Sequence, residues 1–420
     1  MFLRFLLILF LLIGASATQA AEYIVKAKNG ELAKALQIAK PGDILRLASG
    51  IHSGSFEIEI PLTLIGEKGA KIVGTDIGSP IIVTAPNVTI KGLEISGSGS
   101  SHETIDSGVR LLEGATNAIV ENNKIIGNLV GVDIHGPKNA LVKNNIIIGR
   151  LDNRMNDRGN GIYIWNTDGA RVIGNDIRYG RDGIFVTTSK NNQYSNNRFR
   201  DLRFGVHYMY AHNSEVSGNI SMNNHLGYAI MFSKKVIIKN NYSFNDRDYG
   251  IMLNYTNSSI VEQNIIQQSA EKCVFIYNSH KNNFSENIFE KCDVGTHFTA
   301  GSERNTISNN SFSFNRTQVK YVGSKWVDWS ESGRGNFWSD HAGFDLNSDG
   351  IADNIYRPND VMDRILWTQP AAKSLMGSPA VQLIKWSQSA FPALLPGGVI
   401  DKFPLMQPIK LTPPVWKEIQ

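Results

Sequence analysis

Cysteine is almost missing from this chain: only Cys273 and Cys292 occur in 420 residues. So few cannot be what holds a chain of this length together, and a long core buries enough apolar surface without them. Charge of one sign is also missing. The formal excess is +4, with basic residues scattered, which argues against nucleic acid as a partner. After the first 20 residues no apolar run approaches the ~18 needed to cross a bilayer, so the mature chain is expected to be soluble. No Gly-rich Lys-Ser/Thr phosphate loop is present, so any ATP hydrolysis belongs to a partner. Polygalacturonase-type Asn-Thr-Asp, Asp-Asp and Gly-His-Gly signals are expected to be absent. The epimerase Asp-Pro-His-Asp signal is not found.

What is present begins with MFLRFLLILFLLIGASATQA. Arg4 starts it, Phe5–Ile13 is a short apolar core, and small residues lead to Ala20. This reads as a secretory signal, residues 1–20, without a twin-arginine pair and cleaved near Ala20. Export permits a bridge between Cys273 and Cys292, and two buried thiols are the alternative.

An asparagine then recurs at Asn123, Asn145, Asn175, Asn197, Asn219, Asn241, Asn264, Asn287 and Asn310, spaced 22, 30, 22, 22, 22, 23, 23 and 23 residues apart. Such a period means one structural unit repeated many times. A glycine follows most of these asparagines by about eight residues, as at Gly131, Gly183, Gly205 and Gly227. Strict apolar alternation comes next, as in Val132 and Ile134 or Ile184 and Val186, which means half-buried strands. The expected fold is all-β, a right-handed parallel β-helix with nine clear coils and the asparagines stacked at one bend. Glu31–Ala39 reads as a helical cap. Gly97–Gly108 and Arg150–Asn160 read as bulges leaving the coils.

Positions two and four past each glycine must point outward. Down the stack they hold Asp133 and His135, Tyr163 and Trp165, Phe185 and Thr187, and His207 and Met209. Ala229 and Met231, Met252 and Asn254, Phe275 and Tyr277, and His297 and Thr299 follow. A solvated face would not be this rich in aromatics, histidine and methionine, so it reads as a binding surface. His207, Met209, Met231 and Met252 come from three consecutive coils, about 5–10 Å apart by strand spacing. Thioether and imidazole together suit Cu(I); packing under a loop or partner is the other reading. His212 and His225 lie near the ends of the same coils. His52, His102 and His280 read as ordinary surface residues. Glycoside hydrolysis needs two carboxylates, and Asp133 is the only one on the stripe. Asp182 precedes a marker glycine, and Asp152 and Asp157 lie on the second bulge.

The repeat fades after Asn310. In DLNSDGIAD, Asp345, Asn347, Asp349, the Ile351 carbonyl and Asp353 take the alternate positions of a calcium loop. Tyr356 stands where an EF-hand has its glutamate, so structural calcium and a simple Asx-rich turn are both open. Gln369–Phe391 reads as one or two helices broken at Pro379, with Leu375, Met376, Val381, Leu383, Ile384 and Trp386 as apolar surface. It is either a tail packed on the solenoid flank or a docking element for a membrane partner.

The leader, the capped repeat, GNFWSDHAGFDLNSDGIADNIYRP at Gly335–Pro358, and a tail with SPAVQLI and KFPLMQP together resemble the NosD family. These are periplasmic accessory proteins of nitrous oxide reductase maturation, and the resemblance covers essentially the whole mature chain. It implies a non-catalytic factor working beside an ABC-type ATPase and its membrane permease. It implies supply of copper or sulfur to the copper–sulfide centre of nitrous oxide reductase, with a copper chaperone as a further partner. A polysaccharide-active or carbohydrate-binding β-helix is the alternative. The organisation expected is a leader (1–20), a capped β-helix (21–316), a capping segment with the Asp/Asn loop (317–358) and a Pro-rich, partly helical tail (359–420).

Overall fold

The computed structural model describes residues 20–151, 154–299, 301–323, 325–359, 361–375, 378–391 and 397–415. The expected leader, Asp152 and Met376 lie outside them. Each coil lays down three short strands, as in Ile119–Glu121, Lys124–Ile126 and Val130–His135, and then returns to the first sheet at Leu141–Lys143. Three sheets result. Sheet 1 has 13 strands, from Glu22–Val25 to Thr306–Ile307. Sheet 2 has 13, from Gly50–Ser53 to Phe337–Trp338, and sheet 3 has 12, from Phe56–Ile58 to Thr317–Val322. Neighbouring strands pair in parallel, with Val120 opposite Val142, Ile125 opposite Ile147 and Val132 opposite Ile162. This is the parallel β-helix that the alternation predicts. It is longer than the asparagine pattern suggests, because the early coils lack that residue.

Branched apolar side chains fill the interior: Val120, Ile125, Val132, Ile134, Val172 and Ile184 are buried, and such residues pack well on pleated surfaces. The marker glycines let coils approach. A Cβ on Gly183 would lie 2.5 Å from the Gly205 carbonyl oxygen and 2.5 Å from the Phe199 ring. The asparagines sit at the bend from sheet 1 to sheet 2. From Asn145 on, each Oδ1 accepts from the main-chain N–H and the carboxamide of the previous asparagine, as Asn219 does from Asn197 at 2.9 and 3.1 Å; Asn123 accepts from the Leu93 N–H at 3.0 Å. Each carboxamide also donates to a carbonyl one coil back, at 2.9 Å from Asn219 to Tyr194. A tenth member, Asn336, accepts from Asn310 at 3.1 and 2.9 Å. The sequence pattern hides it because this coil is 26 residues long. Sheets 2 and 3 accordingly run past Arg316, to Trp338 and Val322.

At the N-terminal end the helix Glu31–Ile38 covers the first coil and buries Leu32. At the other end Phe312, Trp338 and Tyr356 stack, with ring centroids 4.4 and 4.8 Å apart. Asp401 fastens this end by accepting from the Asn336 N–H at 2.7 Å and the Trp338 indole at 2.8 Å. In the tail, helices span Val361–Thr368 and Pro379–Ala390. Pro379 starts the second helix where it was expected to break one. Proline lacks an N–H and suits the first helical position, and the Ser378 side chain accepts from the Val381 N–H.

The cysteines are joined: Cys273–Cys292 is a disulfide with Cα atoms 5.6 Å apart, which decides between the two alternatives. Both bulges leave at the bend from sheet 2 to sheet 3 and hold each other. Arg150 donates to the Gly99 carbonyl at 2.9 Å and the Ser100 hydroxyl at 2.7 Å, and the His102 ring lies 3.1 Å from the Asp157 carbonyl. His102 therefore ties loops together. His52, also expected at the surface, is buried against the Ala48 carbonyl at 3.0 Å, because its position alternates inward.

Candidate functional site

The outer face of sheet 3 carries the stripe in two columns. Register aligns Asp133, Tyr163, Phe185, His207, Ala229, Met252, Phe275 and His297 in one. His135, Trp165, Thr187, Met209, Met231, Asn254 and Tyr277 form the other. Met209 and Met231 are direct partners, and His207 and Met252 flank Ala229. The four expected ligands thus lie on one patch. The stripe is less open than expected. Asp133, His207 and Ala229 are buried and the three methionines half-buried, because large side chains on adjacent rungs cover one another.

His207 is the best defined of them. Its Nδ1 lies 2.9 Å from Asp182 Oδ2, and Arg203 grips the same carboxylate through Nε at 2.8 Å and a terminal nitrogen at 2.6 Å. Burial works against the charge of Asp182, but the bonds from His207 and Arg203 outweigh it and hold the carboxyl below its ordinary range. A carboxylate on one ring nitrogen fixes the tautomer and leaves Nε2 as the free donor. Phe185 and Phe204 pack against the ring, with centroids 4.7 and 5.0 Å away. Sequence reasoning did not see this frame. Asp182 and Arg203 are 21 residues apart, close to one period, and that spacing is the signal that could have paired them.

Three rungs away, Asp133 is fully buried between Arg110, at 3.2 Å, and His135, at 3.7 Å, and His135 stacks on Trp165 at 4.4 Å. Burial pushes the Asp133 carboxyl up, against the pull of His135 and Arg110. Neither Asp133 nor Asp182 presents side-chain surface to solvent, so neither reaches a glycosidic bond as a hydrolase pair must. The tripeptide Asn166-Thr167-Asp168 matches one member of the polygalacturonase set, yet Thr167 is buried at a bend, 3.0 Å from the Trp165 carbonyl. His297 ends the column. Burial, with Lys320 and Lys272 nearby, lowers its pKa to about 4, so it is a neutral ring at ordinary pH.

His212 and His225 stand at opposite edges of the sheet. The His212 ring accepts from the Lys234 N–H at 3.2 Å, and His225 lies 3.5 Å from Asp248. Among the described residues no three His, Cys, Asp or Glu side chains converge as a metal site. In the Asp/Asn loop the side chains turn to the loop's own amides. Asp345 accepts from the Gly350 N–H at 2.8 Å, Asp349 from the Ile351 N–H at 2.9 Å, and Asp353 from the Leu346 N–H at 2.7 Å. Asn347 accepts from the Asp349 N–H at 3.1 Å, and Ile351 bridges to Leu405. That is the geometry of Asx turns.

Two relatives, each named a probable ABC transporter binding protein NosD, come from Stutzerimonas stutzeri and Pseudomonas aeruginosa. They are 45% and 44% identical over 376 and 374 residues, covering 86% of this chain and 86% and 87% of theirs. The chain belongs to the NosD family. The NosD family model, described as periplasmic copper-binding protein, matches residues 147–343. That span includes His207, Met209, Met231 and Met252 and stops short of the Asp/Asn loop. NosD-like coils also occur in unrelated solved structures. Exopolygalacturonases from Thermotoga maritima and Yersinia enterocolitica give TM-scores of 0.54 and 0.55 at 13% and 11% identity. They cover 73% and 71% of this chain, and 93% and 77% of their own. This likeness is one of fold alone.

Proposed function

We propose that this chain is an exported, non-catalytic copper carrier. It serves assembly of the copper–sulfide centre of nitrous oxide reductase beside an ABC-type ATPase and its permease. The leader is removed near Ala20, and copper reaches the chain from a chaperone. The observation that carries this reading is the His207 frame: Asp182 and Arg203 fix Nδ1, and Nε2 is left for the patch that holds Met209, Met231 and Met252. One imidazole and thioethers match Cu(I), a soft ion. The copper-binding description of the family and the relatives' transporter names support it. Leu375, Leu383 and Phe391 of the tail are exposed, which supports the tail as the part that meets a membrane partner.

Two measurements test it. Replacing Met209, Met231 and Met252 together with Leu preserves volume and should leave folding intact. Cu(I) affinity of the purified protein should fall by about a hundredfold or more, since losing even a group behind a ligand costs about 10–100-fold; unchanged affinity rejects the patch. Separately, nitrous oxide reductase from a host lacking this gene should lack its copper–sulfide centre and regain it on complementation. A fully assembled reductase would reject the maturation role.

A further inference from the structure

The bend that leaves sheet 3 carries a pattern of its own. It follows the stripe directly, with Tyr210 after Met209, Phe232 after Met231 and Tyr255 after Asn254. All three residues have left-handed backbone, at φ 48°, 49° and 50°. Bulky residues avoid that region because it strains their backbone. The coils on either side place Asn166, Thr188 and Asn278 there, and asparagine tolerates it far better. Three successive coils therefore keep a ring where asparagine would relax the chain.

The rings form a stack. Tyr210 and Phe232 are 4.9 Å apart at 16°, and Phe232 and Tyr255 are 5.2 Å apart at 8°. Both faces of Phe232 are thus covered, so it offers solvent its edge, and the flanking Tyr210 and Tyr255 are 52% and 44% exposed. Ring edges are the positive pole of the aromatic quadrupole. The bends of these and the adjoining coils carry Lys190, Lys234, Lys235 and Lys281, and no Asp or Glu occurs in 188–192, 210–214, 232–236, 255–259 or 278–282; Lys190 is held by Asp168 of the coil before, 3.6 Å away, which leaves Lys234, Lys235 and Lys281 as the charge beside the rings. Lys234 and Lys235 are exposed and enter no ion pair among the described residues. The ladder is apolar at its centre and positive at its edges and flanks.

We infer that this ladder is a docking surface for an acidic segment of a partner protein, the one that gives or receives the metal held by the adjoining methionines. The partner's role rests on the copper reading above; the surface does not. Bases, like sugars, stack on ring faces, and here four of the six ring faces are taken up within the stack. A polypeptide supplying carboxylates and carbonyl oxygens fits the edges and the lysines.

Two variants of the full chain test this. Tyr210, Phe232 and Tyr255 are replaced together by Asn, the residue at this bend in the coils of Asn166 and Asn278, and separately Lys234 and Lys235 by Glu. The probe is a fluorescent peptide of glutamates interspersed with leucines, with phosphatidylglycerol vesicles as the alternative ligand. Expected is salt-sensitive peptide binding by the wild type, weakened about tenfold or more in both variants. The Asn variant should melt no lower than the wild type, since backbone strain is relieved, and Cu(I) affinity should not change. The inference is overturned if the wild type does not bind the peptide, if both variants bind it as well, or if only vesicle binding is lost. Cu(I) affinity of the methionine variant is read independently, so failure of the cargo reading and failure of the surface are distinguishable.

Discussion

Asp246 shows what a single carboxyl does inside a solenoid. It is fully buried and accepts from the Ser221 and Ser243 hydroxyls at 2.7 and 2.6 Å and from the Asn224 N–H at 2.9 Å. Burial outweighs these bonds and raises its pKa to about 7. Unfolded, it titrates near 4. Between those values the folded chain holds the extra proton, so this group takes stability away as pH rises from about 4 to about 7. Replacing Asp246 with Asn should remove that slope. Chemical denaturation across the window should show the wild type losing up to about 1.4 kcal/mol per pH unit relative to the variant; parallel curves would contradict it. At this scale the sequence is legible only where period two governs. The inward Val132 and outward His207 can be read from it. Contacts such as Asp182 with Arg203 depend on how a bend places one coil over the next, and alternation carries no trace of that.

Among elements, the asparagine ladder is the most legible and the most exacting. Its residues recur because one side chain must serve a main-chain N–H, a neighbouring carboxamide and a distant carbonyl at once. Replacing Asn219 with Leu leaves the Asn197 N–H without its acceptor, takes one of two acceptors from the Asn197 carboxamide, and removes the carboxamide donor from the Tyr194 carbonyl. At roughly 1–3 kcal/mol per orphaned buried group, urea unfolding should report a loss of about 3 kcal/mol or more. The Asp/Asn loop was half legible. Its alternating oxygens are equally consistent with cation binding and with the Asx turns that the side chains make. We propose structural calcium there. Adding calcium to chelator-treated protein should raise Tm, and Asp345→Asn with Asp349→Asn should abolish the rise; no rise in the wild type leaves the loop as a turn. The aromatic ladder was missed because its members occupy an asparagine position, and only the φ values reveal what that costs.

For the whole molecule, the ends were the least readable parts. Near-constant spacing specifies the middle, whereas the terminal coils are held by particular contacts such as Asp401 with Trp338. A repeat array is stabilised mainly by nearest neighbours, so it opens from a weakened end. Asp401→Ala should therefore accelerate amide exchange in the C-terminal coils first and leave the coils around Ile134 protected; uniform acceleration would mean the array melts as one unit.

The ladder of coils is also a ruler. Strands in one sheet lie about 4.8 Å apart, and the Met209–Met231 pair sits a fixed number of strands below Thr317–Val322, the last of sheet 3. Removing or adding one whole coil between them would slide the patch along the axis by one such step and leave its own geometry untouched. Separation between the methionine patch and the tail is thus quantised, and it can be lengthened or shortened in evolution without redesigning either.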